Sequence, residues 1–392
     1  MTVDSTVDAG PLDRLPRTAL RLGPWTVAPF AFCVGAGFAT GGTLATVLAA
    51  ATGRSPGLMA AILLGAVVAF FVVGLATKVV YGDEVYVFFH HALATVGAAV
   101  VVIWAAGAPV LPYLDLTVAG TLGALIVVKL GCLFVGCCYG RPAHRGIRYR
   151  PTHAEAGFPS CYVGVRTFPV QVVEAGWAVC MTVVTAGVVL AGGPAGSGLT
   201  VGVTGYAVGR LFTEPLRGDS GRAYLLGLSQ AQWLSVVVLA AVGVLTALQV
   251  LPWTGWQLGV AVVGLVLTAA VGTYRLSRRR GLWQLATPRR LREFAELLDH
   301  LDAVLAVDGA GPHVHATSAG LLVSAARTDD GAQRLRHYTV SSHDGRLTER
   351  AMTDLADLVG ILRCAGGTPV VIASATGTCH LLMADPVGGL TA

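Results

Sequence analysis

Hydrophobic residues in this chain come in long blocks separated by short polar or glycine-rich stretches. The blocks run at roughly 27–49, 57–77, 87–107, 117–138, 168–192, 197–213, 230–250 and 255–275. A helix crosses a bilayer with about 20 apolar residues, because it satisfies its own backbone hydrogen bonds where no water can do so. The pattern therefore predicts a polytopic α-helical membrane protein. The seventh and eighth blocks are separated only by LPWTGW, Leu251 to Trp256. That reads either as a tight interfacial turn or as a break in one long element, so 7–8 transmembrane helices are expected, with eight preferred.

The pattern changes near residue 276. A basic linker, 276–288, leads into 289–307, where Leu291, Phe294, Leu297, Leu298 and Leu301 recur at helical spacing. Residues 313–326 and 334–342 read as strands, 344–367 as a turn, a helix and a glycine stop, and 368–384 as one or two strands. Residues 289–392 are thus expected to form a small soluble α/β or α+β domain with its own core. Residues 27–275 make the membrane domain. Residues 1–26 read as a loose polar leader without the apolar region of a cleaved signal peptide.

Composition agrees with this division. The chain of 392 residues is 54% hydrophobic and 12% charged, against about 25% charged in soluble domains. Its mean hydropathy is +0.67. The 50 glycines follow no triplet period, which excludes collagen, and small residues let membrane helices approach closely. The net charge of +5 collects beside apolar blocks, which suits a lipid surface better than nucleic acid. With eight spans, Arg14, Arg17 and Arg21, the arginines from Arg141 to Arg166, and those from Arg275 to Arg280 share one side. The positive-inside rule assigns that side, and with it the C-terminal domain, to the cytoplasm.

Within the spans, Arg210 and Glu214 stand one helical turn apart and Arg217 follows near the same face. Ionisable groups are expensive there and need a partner or a purpose. An Arg–Glu pair holding helices together is one reading. A phosphate site is the other, since a guanidinium fork donates two hydrogen bonds to phosphate oxygens. Lys129 and Arg141 read either as boundary cations or as further charge for an anion. His90 and His91 lie in an apolar run, as packed histidines or as proton acceptors.

Three cysteines crowd GCLFVGCCYGRP, residues 131–142. Their spacing is not that of a zinc pair and adjacent cysteines chelate one ion poorly. A disulfide to Cys161 requires an oxidising face. Packing as small apolar residues carries most weight, so no metal is expected. No phosphate-binding glycine loop, dinucleotide fingerprint or nucleophile elbow is present, and no cofactor is expected. The histidines of the C-terminal region read as ordinary surface or core residues.

Several blocks, taken in order, resemble the prolipoprotein diacylglyceryl transferase family. LGPWTVAPFAFCVGAGFATGG, residues 22–42, is similar to its opening helix, and FFHHALATVG, residues 88–97, places His90 on the family histidine. The signature G-R-x-G-N-F-x-N-x-E-x-x-G-R falls on 128–141. Gly131, Gly140 and Arg141 match it, Lys129 replaces the first arginine, and Cys132 and Cys137 replace an asparagine and the glutamate. FPVQVVEA, residues 168–175, keeps Pro169, Gln171 and Glu174 of H-P-x-Q-x-Y-E. GYAVGRLFTEPLRGD, residues 205–219, keeps Tyr206, Arg210, Glu214, Arg217 and Asp219 of Y-G-x-x-R-x-x-x-E-x-x-R-x-D, and LSQAQWLS, residues 228–235, is similar to the start of the last family helix.

The resemblance implies a bacterial inner-membrane enzyme that moves a diacylglyceryl group from phosphatidylglycerol to a thiol, on a protein or a smaller acceptor, and releases glycerol phosphate. It implies catalytic roles for His90, Arg210 and Glu214. It implies substrate binding by Lys129, Arg141, Gln171, Glu174, Tyr206, Arg217 and Asp219. The family's own topology has seven spans, an external N-terminus and outward-facing chemistry. A second reading, of another class, is a non-catalytic lipid-binding scaffold that docks a partner through its C-terminal domain.

Overall fold

A computed structural model describes residues 11–82, 88–253 apart from 222 and 226, scattered positions between 255 and 273, and residues 282–308, 313–329, 334–343, 345–363, 369–374 and 377–384. A 3-10 turn at Pro11–Arg14 and a hairpin, β1 (Leu20–Leu22) with β2 (Trp25–Val27), lead into four long helices. These are α1 (Pro29–Ala51), α2 (Pro56–Tyr81), α3 (Phe88–Ala105) and α4 (Val110–Val135). Local chemistry sets their ends. Ser55 accepts from the Leu58 amide ahead of Pro56, and Gly136, at φ +78°, stops α4 in the left-handed region.

Glycines fix how α1 meets α4. A Cβ at Gly41 would collide with the carbonyl of Gly120, and one at Gly120 with that of Gly41. The backbones can touch only because neither residue has a side chain. On α2, by contrast, Leu64, Val68, Phe71, Leu75 and Val79 are all exposed and recur along one side of the helix. An apolar face turned away from the protein is what lipid contact requires.

Between α4 and α6 the chain leaves the bundle. It forms β3 (Pro142–Arg148), the short α5 (Pro151–Glu155), a 3-10 turn at Ser160–Tyr162 and β4 (Arg166–Thr167), with β3 and β4 antiparallel and bulged. It returns through α6 (Val170–Leu190) and α7 (Ser197–Thr213). A small hairpin, β5 (Tyr224–Leu225) with β6 (Leu228–Ser229), precedes α8 (Gln230–Ala247). Further helical backbone is described at 256–257, 262–264 and 269–270. Among the described residues five helices are long and apolar enough to span a membrane: α1, α2, α4, α6 and α8. The described part of α3 is apolar but shorter. The chain is thus a polytopic helical membrane protein.

Its C-terminal region is built from α9 (Pro288–Asp308), β7 (His315–Ala316), β8 (Leu321–Asp329), β9 (Arg334–Ser342), α10 (Glu349–Leu362), β10 (Val370–Ala373) and β11 (Cys379–Ala384). The strands form one antiparallel sheet in the order β10-β11-β9-β8-β7. Leu298, Leu321, Val323, Tyr338, Val340, Leu355 and Leu381 are fully buried in its core. An antiparallel sheet beside two helices is the α+β form of the expectation.

This region is seated on the excursion. Phe294, Leu298 and Leu301 of α9 belong to the same buried cluster as Tyr139, Tyr149, Phe158 and Tyr162. Arg141 donates to the Ala286 carbonyl at 2.6 Å, and His144 meets Asp357 at 2.7 Å. The leader reaches the same place. Arg17 donates its amide to the Phe134 carbonyl at 2.8 Å. Asp13 accepts from the Arg148 amide at 3.0 Å and pairs with Arg166 at 3.3 Å. The described part of the leader is therefore tied down, contrary to the loose segment its polarity suggested. Short polar side chains that bond a neighbouring loop look no different in sequence from solvated ones.

Candidate functional site

The site lies where α4, α6 and α7 converge. Lys129 is in the penultimate turn of α4, Glu174 in the second turn of α6, and Arg210 in the last turn of α7. The chain leaving α7 turns through a 3-10 segment, Glu214–Leu216. Arg217 is then held by strand-like pairing: the Arg141 amide donates to the Leu216 carbonyl at 3.0 Å, and the Gly218 amide to that of Tyr139 at 2.9 Å. Gly140 pairs with Arg217 in this bridge. A Cβ at Gly140 would strike the Phe168 backbone and one at Gly218 the Gly140 carbonyl, so both glycines are demanded by close approach.

Three cations converge on one carboxylate. Lys129 Nζ donates to Glu174 Oε2 at 2.5 Å and Arg210 Nη1 to Oε1 at 2.5 Å. Arg217 Nη1 lies 3.0 and 3.3 Å from the same two oxygens. The second nitrogen of Arg210 donates to Glu214 at 2.6 Å. Arg217 is also gripped on its other edge by both oxygens of Asp219, at 2.9 and 3.2 Å. Glu174, Glu214, Arg210 and Arg217 are all buried. Three positive and three negative groups balance, as buried charges must.

Beside this network is a cavity of about 20 Å³, room for about one water. Lys129, Glu174, Tyr206 and Arg210 line it together with Leu125, Trp177, Gly209 and Thr213. Sequence reasoning did not select Trp177 or Thr213. Each stands three residues beyond a selected residue on the same helix, Glu174 or Arg210, and that spacing was the available signal. Trp177 donates to the Gly205 carbonyl at 2.9 Å, which fixes the indole as a wall.

Other expected residues lie apart from the cavity lining. Gln171 donates to the Cys137 carbonyl at 3.0 Å and to Tyr149 Oη at 3.3 Å, so it braces the cysteine segment. Arg141 engages Ala286 before the C-terminal helix. His90 lies in the first turn of α3, but its side chain falls outside the described residues. Its neighbour His91 is buried and packs on Phe70 with ring centroids 4.6 Å apart. The similarity around 228–235 has a local reason: Ser229 and Gln232 form a reciprocal capping box at the start of α8.

Residues 17–248 match the family profile of prolipoprotein diacylglyceryl transferase. The chain belongs to this family. The matched stretch holds every helix around the cavity, and the C-terminal α+β region lies beyond it. No curated protein matches the chain. As a prolipoprotein diacylglyceryl transferase family member the protein is a membrane enzyme of the diacylglyceryl-transfer type, with phosphatidylglycerol as donor.

Proposed function

We propose that the Lys129–Arg210–Arg217 cluster receives the phosphate of phosphatidylglycerol and stabilises its departure as glycerol phosphate. The supporting observation is the convergence of the three cations on the single carboxylate of Glu174. Glu174 stands where an anion is wanted. A lipid phosphate would take over hydrogen bonds that Glu174 now accepts, and the side chains around a cavity this small would have to part to admit it.

The reaction is displacement at carbon. The acceptor thiolate attacks the glycerol carbon that carries the phosphate ester, a C–S bond forms, the C–O bond breaks, and its electron pair leaves on glycerol phosphate. Charge grows on the leaving phosphate, and buried guanidinium donors already in place stabilise it most. Glu214 and Asp219 aim Arg210 and Arg217. Tyr206 and Trp177 shape the wall against the lipid, and His90 takes the thiol proton. The acceptor is a lipoprotein thiol or a smaller thiol.

Eight crossings are supported by the shared position of the leader, the excursion and the C-terminal region. Segments that touch on one side, before α1 and after the last apolar block, call for an even number of spans. The arginine asymmetry supports the cytoplasm for that side, and the C-terminal region, residues 289–392, is a partner-docking or regulatory domain there.

The deciding experiment incubates the full chain with labelled phosphatidylglycerol and a thiol-bearing peptide. Glycerol phosphate release with a labelled thioether supports transfer, and Arg210→Ala should lower both by about 10²–10³-fold. A scaffold would bind the lipid without releasing glycerol phosphate, using the same ion network only to hold α6 against α7.

A further inference from the structure

The cysteines of GCLFVGCCYGRP do not behave as scattered fillers. The Sγ atoms of Cys132, Cys137 and Cys138 all lie within 4.8 Å of one another. Adjacent cysteines normally point apart. Here Gly136 at φ +78° and Cys138 at φ +55° turn the backbone through the left-handed region twice in three residues. That folds the segment back on the end of α4 and returns both thiols to Cys132. A non-glycine residue in this region carries a conformational cost, and the thiol cluster gives that cost a purpose.

We propose that Cys132, Cys137 and Cys138 form a three-thiolate zinc site whose fourth position takes the acceptor thiol. Zinc prefers sulfur ligands at about 2.3 Å in tetrahedral array, which sets sulfurs about 3.8 Å apart. Thiols already gathered within 4.8 Å reach that by small side-chain rotations. Among the described residues no fourth histidine, cysteine or carboxylate joins the group, and three protein ligands with one open position are the pattern of a reactive rather than a structural zinc. Three thiolates around Zn²⁺ leave one net negative charge. Arg217 and Lys129 both act on Cys138 through space and offset it. Gln171 braces the segment through the Cys137 carbonyl. Cys132 is buried, whereas Cys137 and Cys138 are only partly covered, so an incoming sulfur has a way in.

The metal-binding part stands on this geometry alone, and the acceptor part rests on the proposed transfer reaction. A thiol that binds zinc loses its proton, which His90 takes in the proposed reaction, and stays as thiolate. It then attacks the glycerol carbon, the thioether forms, and glycerol phosphate leaves with the C–O electron pair. Zinc keeps its oxidation state throughout. The charge of Arg217, which pairs with the carboxylate of Glu174, also reaches Cys138 through space, which links the thiolates to the proposed phosphate site.

The test uses full-length protein in detergent, reduced and stripped of metal. One equivalent of Co²⁺ should give the intense near-ultraviolet absorption of thiolate-to-cobalt charge transfer, bleached by Zn²⁺. Zinc should also protect these three thiols from alkylation in the wild-type chain, a measurement that needs no variant. Cys132→Ser, Cys137→Ser and Cys138→Ser should each weaken the band, while Cys180→Ser, on an exposed part of α6, should not. No thiolate band, or a band and thiol protection that survive all three substitutions, overturns the site. In the second arm, phosphatidylglycerol vesicles and a cysteine-containing peptide are given to stripped and zinc-loaded enzyme. Zinc should raise glycerol phosphate release about a hundredfold, the scale of a proton-removing device. Equal turnover in the two forms overturns the acceptor role and leaves the transfer reaction standing. Stoichiometric thiolate-bound metal without turnover in either form overturns the transfer reaction and supports the metal site.

Discussion

Arg210 Nη1 meets Glu174 Oε1 at 2.5 Å, joining α7 to α6 across 36 residues of sequence. Arg217 and Lys129 bind the same carboxylate. Glu174→Gln keeps the shape and removes the charge, which leaves three buried cations with two carboxylates. Breaking a buried ionic network in this way costs about 3–5 kcal/mol. If Glu174 holds the place of the phosphate, free glycerol phosphate should restore more stability to Glu174→Gln than it adds to wild type. Thermal unfolding in detergent with and without glycerol phosphate measures this, and equal shifts in the two proteins would refute the idea.

Asp219 grips Arg217 through both oxygens, so it positions the guanidinium without facing the cavity. Arg210→Ala should lower turnover about 10²–10³-fold, the loss seen when one preorganised donor is removed from a developing anion. Asp219→Asn retains one hydrogen-bonding oxygen and should cost less, chiefly in kcat. Arg217→Lys keeps charge but loses the fork, and should fall between them. A ranking in which Asp219→Asn is the most damaging would move the chemistry toward Asp219.

The long apolar helices and the C-terminal α+β region were legible because lipid and water impose opposite patterns on a chain. The start of α4 was not. Its apolar run reads from about 117, but the helix begins at Val110, and Asp115 lies inside it. That carboxylate accepts the amides of Gly196 and Leu199 at the start of α7, a partner 81 residues away that no local pattern reveals. The site divides similarly. The Arg210–Glu214 pair follows from helical spacing, whereas the meeting of Lys129, Arg210 and Arg217 on Glu174 is a tertiary event. The cysteine cluster depends on a positive φ at Cys138, and nothing in a cysteine's chemistry announces that conformation.

Leader, excursion and C-terminal region touch one another, so reporters placed after Arg150 and at Ala392 should report the same side of the membrane. Opposite sides would break the seat of α9 on Tyr139, Phe158 and Tyr162 and return the chain to seven spans. Two cytoplasmic signals would support the arginine rule, and two external ones would make this face an outward one.

Gly120→Val tests the helix contact that carries Lys129. Its Cβ would meet the Gly41 carbonyl and the Ala45 side chain, and overpacking of this kind costs about 1–3 kcal/mol. The strain prises α1 from α4 and displaces Lys129 on the same helix. Gly97→Ala on α3, where a Cβ meets nothing, should leave the melting temperature unchanged. The pair is read by thermal unfolding of both variants in one detergent.

His337 Nε2 and His380 Nδ1 lie 3.0 Å apart on neighbouring strands β9 and β11, so one ring donates and the other accepts. Burial, and then the charge of His380, holds His337 below the usual histidine range. The folded protein thus resists a proton that the unfolded chain accepts near pH 6.5. For a basic group with a depressed folded pKa, stability is fully present above the unfolded value and falls as the pH drops below it. Acidification from pH about 8 to about 5 should therefore loosen the C-terminal sheet as His337 is forced to charge. Hydrogen exchange of β9 and β11 amides in the full chain reads this directly. His337→Gln keeps a polar side chain without a titrating ring and should flatten the acid limb of the profile. An unchanged slope in that variant would shift the acid sensitivity to another group, and His153 is the next to examine, since burial depresses it as well.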